Sequence, residues 1–319
     1  MRSIFLHRAF LAISGVAVII LFCIVSASVA SHQQNTDSSW SGVEQALGTK
    51  GTVLPDGVFM VELPRDDLRI SIGDVALARP MALHSFVAFM DMGPQGSMVM
   101  GDLVLQPQEL HAVQSNLLSG GLNITAIHNT LVGETPQVYD VHFGGKGDPV
   151  KIGGAVRAAL ESAQVPYRVS GARQSDSIPG TFDTRSIDAV MGVKGTYEDG
   201  IVHYSVPRAD KIMESGMEIP RSMDVATSIK LQPLPDNKVA AAGEYVLLAD
   251  EVQPVMRALS YNGITVTATH THMLTEEPRL FYLHIWAVGD PLAVARGLRD
   301  GIDQTNVEMV PPEGPVKSD

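Results

Sequence analysis

Cysteine is almost absent. Cys23 is the only one in 319 residues, and it lies inside an apolar N-terminal stretch. Without that stretch the chain holds no thiol, which excludes a disulfide, a CxxC redox pair and a thiolate metal site. Basic residues are scarce as well: 23 Lys and Arg stand against 35 Asp and Glu, a formal net charge of −12, and they form no dense run. A phosphate backbone would find little to bind, so nucleic acid is not expected as a partner. Neither shortage extends to apolar residues. They make up 45% of the chain, with 18% charged, the balance of a folded protein with an ample core.

The first 30 residues read as a secretion signal. Arg2 and Arg8 supply a positive start, Phe10 to Val25 is apolar but for Ser14 and Gly15, and Ser28-Val29-Ala30 offers small residues before a cut at Ser31. The expected location is secreted or periplasmic, with no stable membrane span after cleavage. The alternative is anchoring by an uncleaved N-terminal segment, because the apolar run is long for a signal. Cleavage leaves 21 basic and 35 acidic residues, a charge of −14. Phe22, where a lipid-modified cysteine normally follows a small residue, argues against acylation of Cys23.

The mature chain contains one unit of roughly 120 residues twice. Gly101–Pro149 aligns with Gly243–Pro291 without a gap at an offset of 142, and 16 of 49 positions are identical. The register extends upstream, where Pro64-Arg65-Asp66-Asp67 answers Pro207-Arg208-Ala209-Asp210. The expected division is a signal at 1–30, repeat one at 41–169, a linker at 170–183, repeat two at 184–308 and a flexible tail at 309–319.

Each copy reads as ββββ-α-ββ-α. A strand stops at the Pro-Arg pair, and strands follow near 84–90 and 98–105. Leu110, Val113 and Leu117 recur at helical spacing after Pro107. Strands 122–130 and 138–143 come next. Asp148-Pro149, repeated as Asp290-Pro291, then caps a second helix. The fold class is therefore α+β: two tandem, mostly antiparallel sheets with two helices each.

The candidate chemistry lies on the two strands after the first helix. Strict alternation puts Ile124, Ala126, His128 and Thr130 on one face, and Val266, Ala268, His270 and His272 in the second copy. A hairpin symmetric about residue 135 would set His128 opposite His142, and likewise His270 opposite His284. Facing residues have Cβ atoms about 5 Å apart, close enough for two imidazoles to reach one ion. Glu134 and Glu276 lie in the intervening turns, and Asp102 and Glu244 each follow a glycine. The candidate ligand set is Asp102, His128, Glu134, His142, Glu244, His270, His272, Glu276 and His284, with the five histidines as candidates for a divalent metal such as zinc. A small polar ligand or an envelope component is the other expected partner. The same groups could instead serve acid–base chemistry in a hydrolase, with Glu276 or Glu244 as base beside His270. They could also be satisfied structural residues in a non-catalytic interaction module.

Two further patterns stand out. His270-x-His272-x-x-x-Glu276 matches the first half of a cupin metal motif, but the second half does not follow, and copy one has Thr130 at the second histidine. Met90, Met92, Met98 and Met100 flank Gly93-Pro94-Gln95-Gly96. A hairpin about residue 95 would oppose Met90 to Met100 and Met92 to Met98. Four thioethers could bind Cu(I), although core packing explains them more economically.

The segments Met100–Leu105, Thr125–Asn129, Gly133–Pro136 and His142 with Gly147-Asp148 resemble the LppY/LpqO family, exported bacterial proteins built from a duplicated domain of unknown function. The resemblance implies an envelope or secreted setting and supplies no activity. Where the family often has His-Asn-His, copy one reads His128-Asn129-Thr130 and copy two His270-Thr271-His272.

Overall fold

The computed structural model describes residues 40–167 and 183–309. Residues 1–30, expected to be a signal, nearly all of the expected linker and nearly all of the expected tail lie outside those residues. Among the described residues, no helix is long and apolar enough to cross a membrane.

The first half runs α1 (Ser41–Leu47), β1 (Thr52–Val53), β2 (Phe59–Glu62), β3 (Ser71–Ile72), β4 (Val75–Ala76), α2 (Arg79–Ala82), β5 (Phe86–Asp91), β6 (Ser97–Leu105), α3 (Leu110–Ser119), β7 (Asn123–His128), β8 (Glu134–Thr135), β9 (Tyr139–Gly147) and α4 (Pro149–Ser162). The second runs α5 (Thr184–Met191), β10 (Thr196–Glu198), β11 (Ile201–Pro207), β12 (Met213–Glu214), β13 (Met217–Glu218), β14 (Ala226–Leu234), β15 (Lys238–Leu247), α6 (Val252–Tyr261), β16 (Thr265–His270), β17 (Phe281–Gly289) and α7 (Pro291–Ile302). Each half is built on a six-stranded antiparallel sheet, in the orders β1-β2-β5-β6-β9-β7 and β10-β11-β14-β15-β17-β16. The fold is thus a duplicated α+β unit.

Each half also has an opening helix, α1 and α5, in addition to the two expected. Both are short, and each buries two apolar side chains one turn apart: Val43 and Leu47, Ile187 and Met191. So brief a stretch gives little periodic signal, and packing against α4 or α7 stabilises it. Asp183, the last linker residue, caps α5 by accepting from the Arg185 amide.

One face of each sheet carries its helices. In the first half Val61, Phe89, Val99, Leu103, Val141 and Phe143 meet Leu117, Val156 and Leu160 there. The opposite face looks at the other half. The excursion from Leu68 to Leu83, which holds β3, β4 and α2, packs Ala78, Met81 and Leu83 with Ile201, Ala240 and Ala242 of the second sheet. Gln232 fixes it, its Oε1 accepting from the Ala78 amide at 2.8 Å and its Nε2 donating to the Ala76 carbonyl at 2.8 Å. The equivalent excursion of the second half packs Ile212, Ile219 and Met223 against Phe86, Met90, Met98 and Met100. The halves exchange arms, and a chamber is left between their sheets.

This exchange accounts for the methionines. They are core residues under the second half's arm, and the register is Met90 opposite Met98 and Ala88 opposite Met100, two residues from the symmetric expectation. Met100 lies beside Gly144, whereas in the second half Ala242 lies beside Trp286. Large-plus-small on one side matches small-plus-large on the other, which conserves volume in a close-packed interior.

Candidate metal centre between the two halves

β6 and β9 are neighbours, as are β15 and β17, so each inward face carries a row across the sheet. In the first half Asp102 pairs with His142 and His142 with Ala126; in the second, Glu244 pairs with His284 and His284 with Ala268. Two features of β7 differ from simple alternation. A bulge at Thr125 turns Ile124 to the helix side, opposite Phe143, while Ala126 stays opposite His142. His128 pairs with Asp140, two residues from the symmetric register, because β8 is held by β3 (Ser71 with Thr135, Ile72 with Glu134). The second half repeats the bulge, between Val266 and Ala268, and pairs His270 with Tyr282.

A diagonal relation still brings the rings together. The Nε2 atoms of His128 and His142 are 2.9 Å apart, and those of His270 and His284 2.8 Å. The sequence places one such pair in each copy; the structure joins both pairs into one cluster. His128 stacks on His270 with ring centroids 3.6 Å apart, and His142 stacks on His272 at 3.8 Å. His128, His270, His272 and His284 each offer a nitrogen within 4.8 Å of the others, and His142, Asp224 and His272 form a second such group.

The surrounding acids complete the shell. Glu244 Oε2 lies 3.5 Å from His284 Nε2 and 3.7 Å from His272 Nε2, and Asp102 Oδ1 lies 3.9 Å from His142 Nε2. Asp224 Oδ2 is 2.7 Å from His272 Nδ1, close but not aligned for a hydrogen bond. Tyr282 covers the other face of His272, with centroids 3.5 Å apart. The two halves differ coherently: where the second has His272 and Tyr282, the first has Thr130 donating to Asp140.

Burial dominates the electrostatics. It pushes His142, His272 and His284 well below the usual histidine range, and repulsion from neighbouring imidazoles adds to this for each. His270 is lowered to about 3, again chiefly by burial. These rings are therefore neutral near pH 7, the form that ligates a metal. Burial raises Asp102 and Glu244 well above the carboxylate range and, more modestly, Asp140; for Asp102 and Glu244 neighbouring acids reinforce the shift.

Hydrogen bonding leaves this cluster incomplete. Nδ1 of His128, Nδ1 of His270, both nitrogens of His272 and Asp102 Oδ1 are buried without a hydrogen-bond partner among the described residues. Such orphans are costly, and five imidazoles cannot satisfy one another. A cation can. Tetrahedral bonds of ~2.05 Å to zinc put donor nitrogens ~3.3 Å apart, so within the four-histidine group the His270–His284 pair, now at 2.8 Å, would open by only about half an ångström. The donor set fits an ion that favours imidazole and carboxylate.

A cavity of about 470 Å³ adjoins the cluster, walled by His142, His272, His284, Asp102, Asp140 and Glu244 among others. Glu134 and Glu276 are not brought to it. Glu134 accepts from Asn129 Nδ2 at 3.2 Å, and Glu276 accepts from the Leu280 amide at 3.0 Å, so each holds its own loop. The sequence reading missed Asp140, Asp224, Lys230 and His203, all on the cavity wall. Asp140 was recoverable, since it stands two residues from His142 on the same face. Asp224 and Lys230 were not, because the first copy has Ala82 and Ala88 there and a search for repeated residues passes over them.

The sequence profile of a family described as Domain of Unknown Function (DUF1259) matches residues 41–162 and again 185–304. Comparison with curated proteins gives no match. Among solved structures, the trimeric bacterial microcompartment shell protein PduB is 12% identical with a TM-score of 0.21, covering 80% of this chain and 89% of its own. EtuB from Clostridium kluyveri is 9% identical with a TM-score of 0.20, covering 79% and 88%. Scores this low carry no argument about fold or role.

Proposed function

Because the chain belongs to the Domain of Unknown Function (DUF1259) family, whose description states no activity, its role has to be read from the site, and we propose that it binds one divalent transition-metal ion between its two halves. The observation that carries this is the group of four nitrogens, from His128, His270, His272 and His284, mutually within 4.8 Å, with both nitrogens of buried His272 unpartnered. Zinc is the first candidate, since neutral imidazoles and a carboxylate suit it and no thiol is needed. Within the family we place the chain with LppY/LpqO-like proteins, on the segments around His128 and His142. We place it outside the cytoplasm, on its N-terminal segment.

The test is metal content of untagged protein, by mass spectrometry and by titration after chelation. We expect about one equivalent and a metal-dependent rise in melting temperature. No bound metal and no thermal shift with zinc, manganese, iron, nickel or copper would remove the reading.

A hydrolytic role is a second reading, favoured by one observation. Glu244 lines the cavity 3.5 Å from His284, where it could act as base toward water beside the ion. Glu276, outside the cavity, drops from that role.

A further inference from the structure

The chamber has a second wall that the metal reading does not use. On β14, Ala226, Ser228 and Lys230 share the cavity face, while Ile229 and Leu231 point to the helices. Lys230 lies between His203 on β11 and Ala242 on β15. Beside it His203 Nε2 and Ser228 Oγ are hydrogen-bonded at 2.9 Å. The other Lys and Arg side chains on the cavity wall are in ion pairs: Arg65 with Glu109 and Asp67, Arg79 with Asp66, Arg221 with Glu308. Among the described residues the Lys230 side chain makes no hydrogen bond and no ion pair, although it is half-buried on the cavity wall. Four acids act on it, Glu244, Asp224, Asp102 and Asp140, yet burial outweighs them all and lowers its pKa. They lie too far away to serve as its partner.

We propose that Lys230 holds the oxyanion of a small acidic ligand, a carboxylate or a phosphate, whose other end reaches the metal ion. This rests on the metal reading above. Ser228, Glu244 and His284 form one row across β14, β15 and β17, and Lys230 stands one diagonal step from it. Its strand is two away from the histidine strand, about 10 Å at ~4.8 Å per strand, a gap that a ligand of a few carbon atoms spans. Such a ligand supplies the missing counter-charge at one end and a donor oxygen at the other. Lys230 and Asp224 have only alanine equivalents in the first copy, so the second copy alone builds this wall.

The experiment uses the full mature chain. Metal binding is measured first, so failure of the metal reading registers separately. Zinc-loaded protein is then titrated calorimetrically with oxalate, malonate and inorganic phosphate, in the wild type and in Lys230→Met and Lys230→Gln. We expect at least one probe to bind and to weaken about tenfold or more in both variants, with zinc affinity unchanged. In wild-type protein the bound probe should also shield Lys230 from amine acetylation, a readout that does not require either variant to fold. Whether the dicarboxylates or phosphate bind decides the ligand class. Absence of binding by all three probes, equal binding in the variants, or acetylation of Lys230 indifferent to a bound probe would overturn the proposal.

Discussion

The rings of His128 and His270 stack with centroids 3.6 Å apart, although they are the same residue of two successive copies. The repeat's own symmetry thus runs through the site, and neither copy owns it. If one ion sits there, stoichiometry is one per chain, not two. His128→Ala and His270→Ala should each weaken binding by roughly 100-fold or more, beyond the ~10–100-fold typical of residues one layer out. Calorimetric titration decides the matter: two sites, or a single site untouched by one of these changes, would assign the ion to one half.

Much of this was legible in the sequence because duplication doubles the weight of each residue. The histidine and acid at 128, 142 and 102 recur at 270, 284 and 244, and their strands were placed correctly. Three things were not legible, each for a physical reason. The bulges at Thr125 and Thr267 break the two-residue alternation locally without a glycine to announce them. The meeting of the two copies depends on arms that cross over, a long-range packing choice with no local pattern. The asymmetric residues, Asp224 and Lys230, carry chemistry because they depart from the repeat.

The crossing arms are rooted in a buried ion pair. Arg65 donates to Glu109 at 2.8 and 3.1 Å and to the Val104 carbonyl at 2.7 Å, and Arg208 repeats this with Glu251 and the Val246 carbonyl. Arg65 is 1% exposed and keeps only the more exposed Asp67 when Glu109 is removed, as Arg208 keeps Asp210 when Glu251 is removed. Buried guanidinium donors then lose their partners while the charge stays paired. Glu109→Ala and Glu251→Ala should each destabilise by about 1–3 kcal/mol, the cost of leaving buried donors unpaired. Urea unfolding followed by tryptophan fluorescence measures it; a loss below about 1 kcal/mol would show these pairs to be dispensable.

Packing beneath the arms gives a size-swap prediction. Met100→Ala removes a side chain that is 6% exposed beside Gly144, and should cost about 2–5 kcal/mol by leaving a cavity. Ala242→Met inserts bulk beside Trp286 and should cost about 1–3 kcal/mol by overpacking. The double change does not restore stability, because the two positions lie under different arms. Recovery in the double variant would refute the arm-exchange account of the methionines.

His203 offers a pH test that leaves the metal ligands intact. Burial, with repulsion from Lys230 adding, lowers its pKa from 6.5 to about 4. The folded state thus resists a proton that the unfolded chain accepts. Its contribution is fully present above pH 6.5 and is lost as pH falls toward 4, at a limiting slope of about 1.4 kcal/mol per pH unit. The ring is partly exposed, so the observed slope should be smaller. His203→Gln keeps a polar group beside Ser228 and cannot titrate. Chelated wild type and variant are compared by urea unfolding from pH 7.5 to 4.5. The wild type should lose stability more steeply, by up to one proton's worth, and the two curves should run parallel above pH 7. Equal slopes throughout would mean that His203 takes up its proton as readily in the fold as in the open chain.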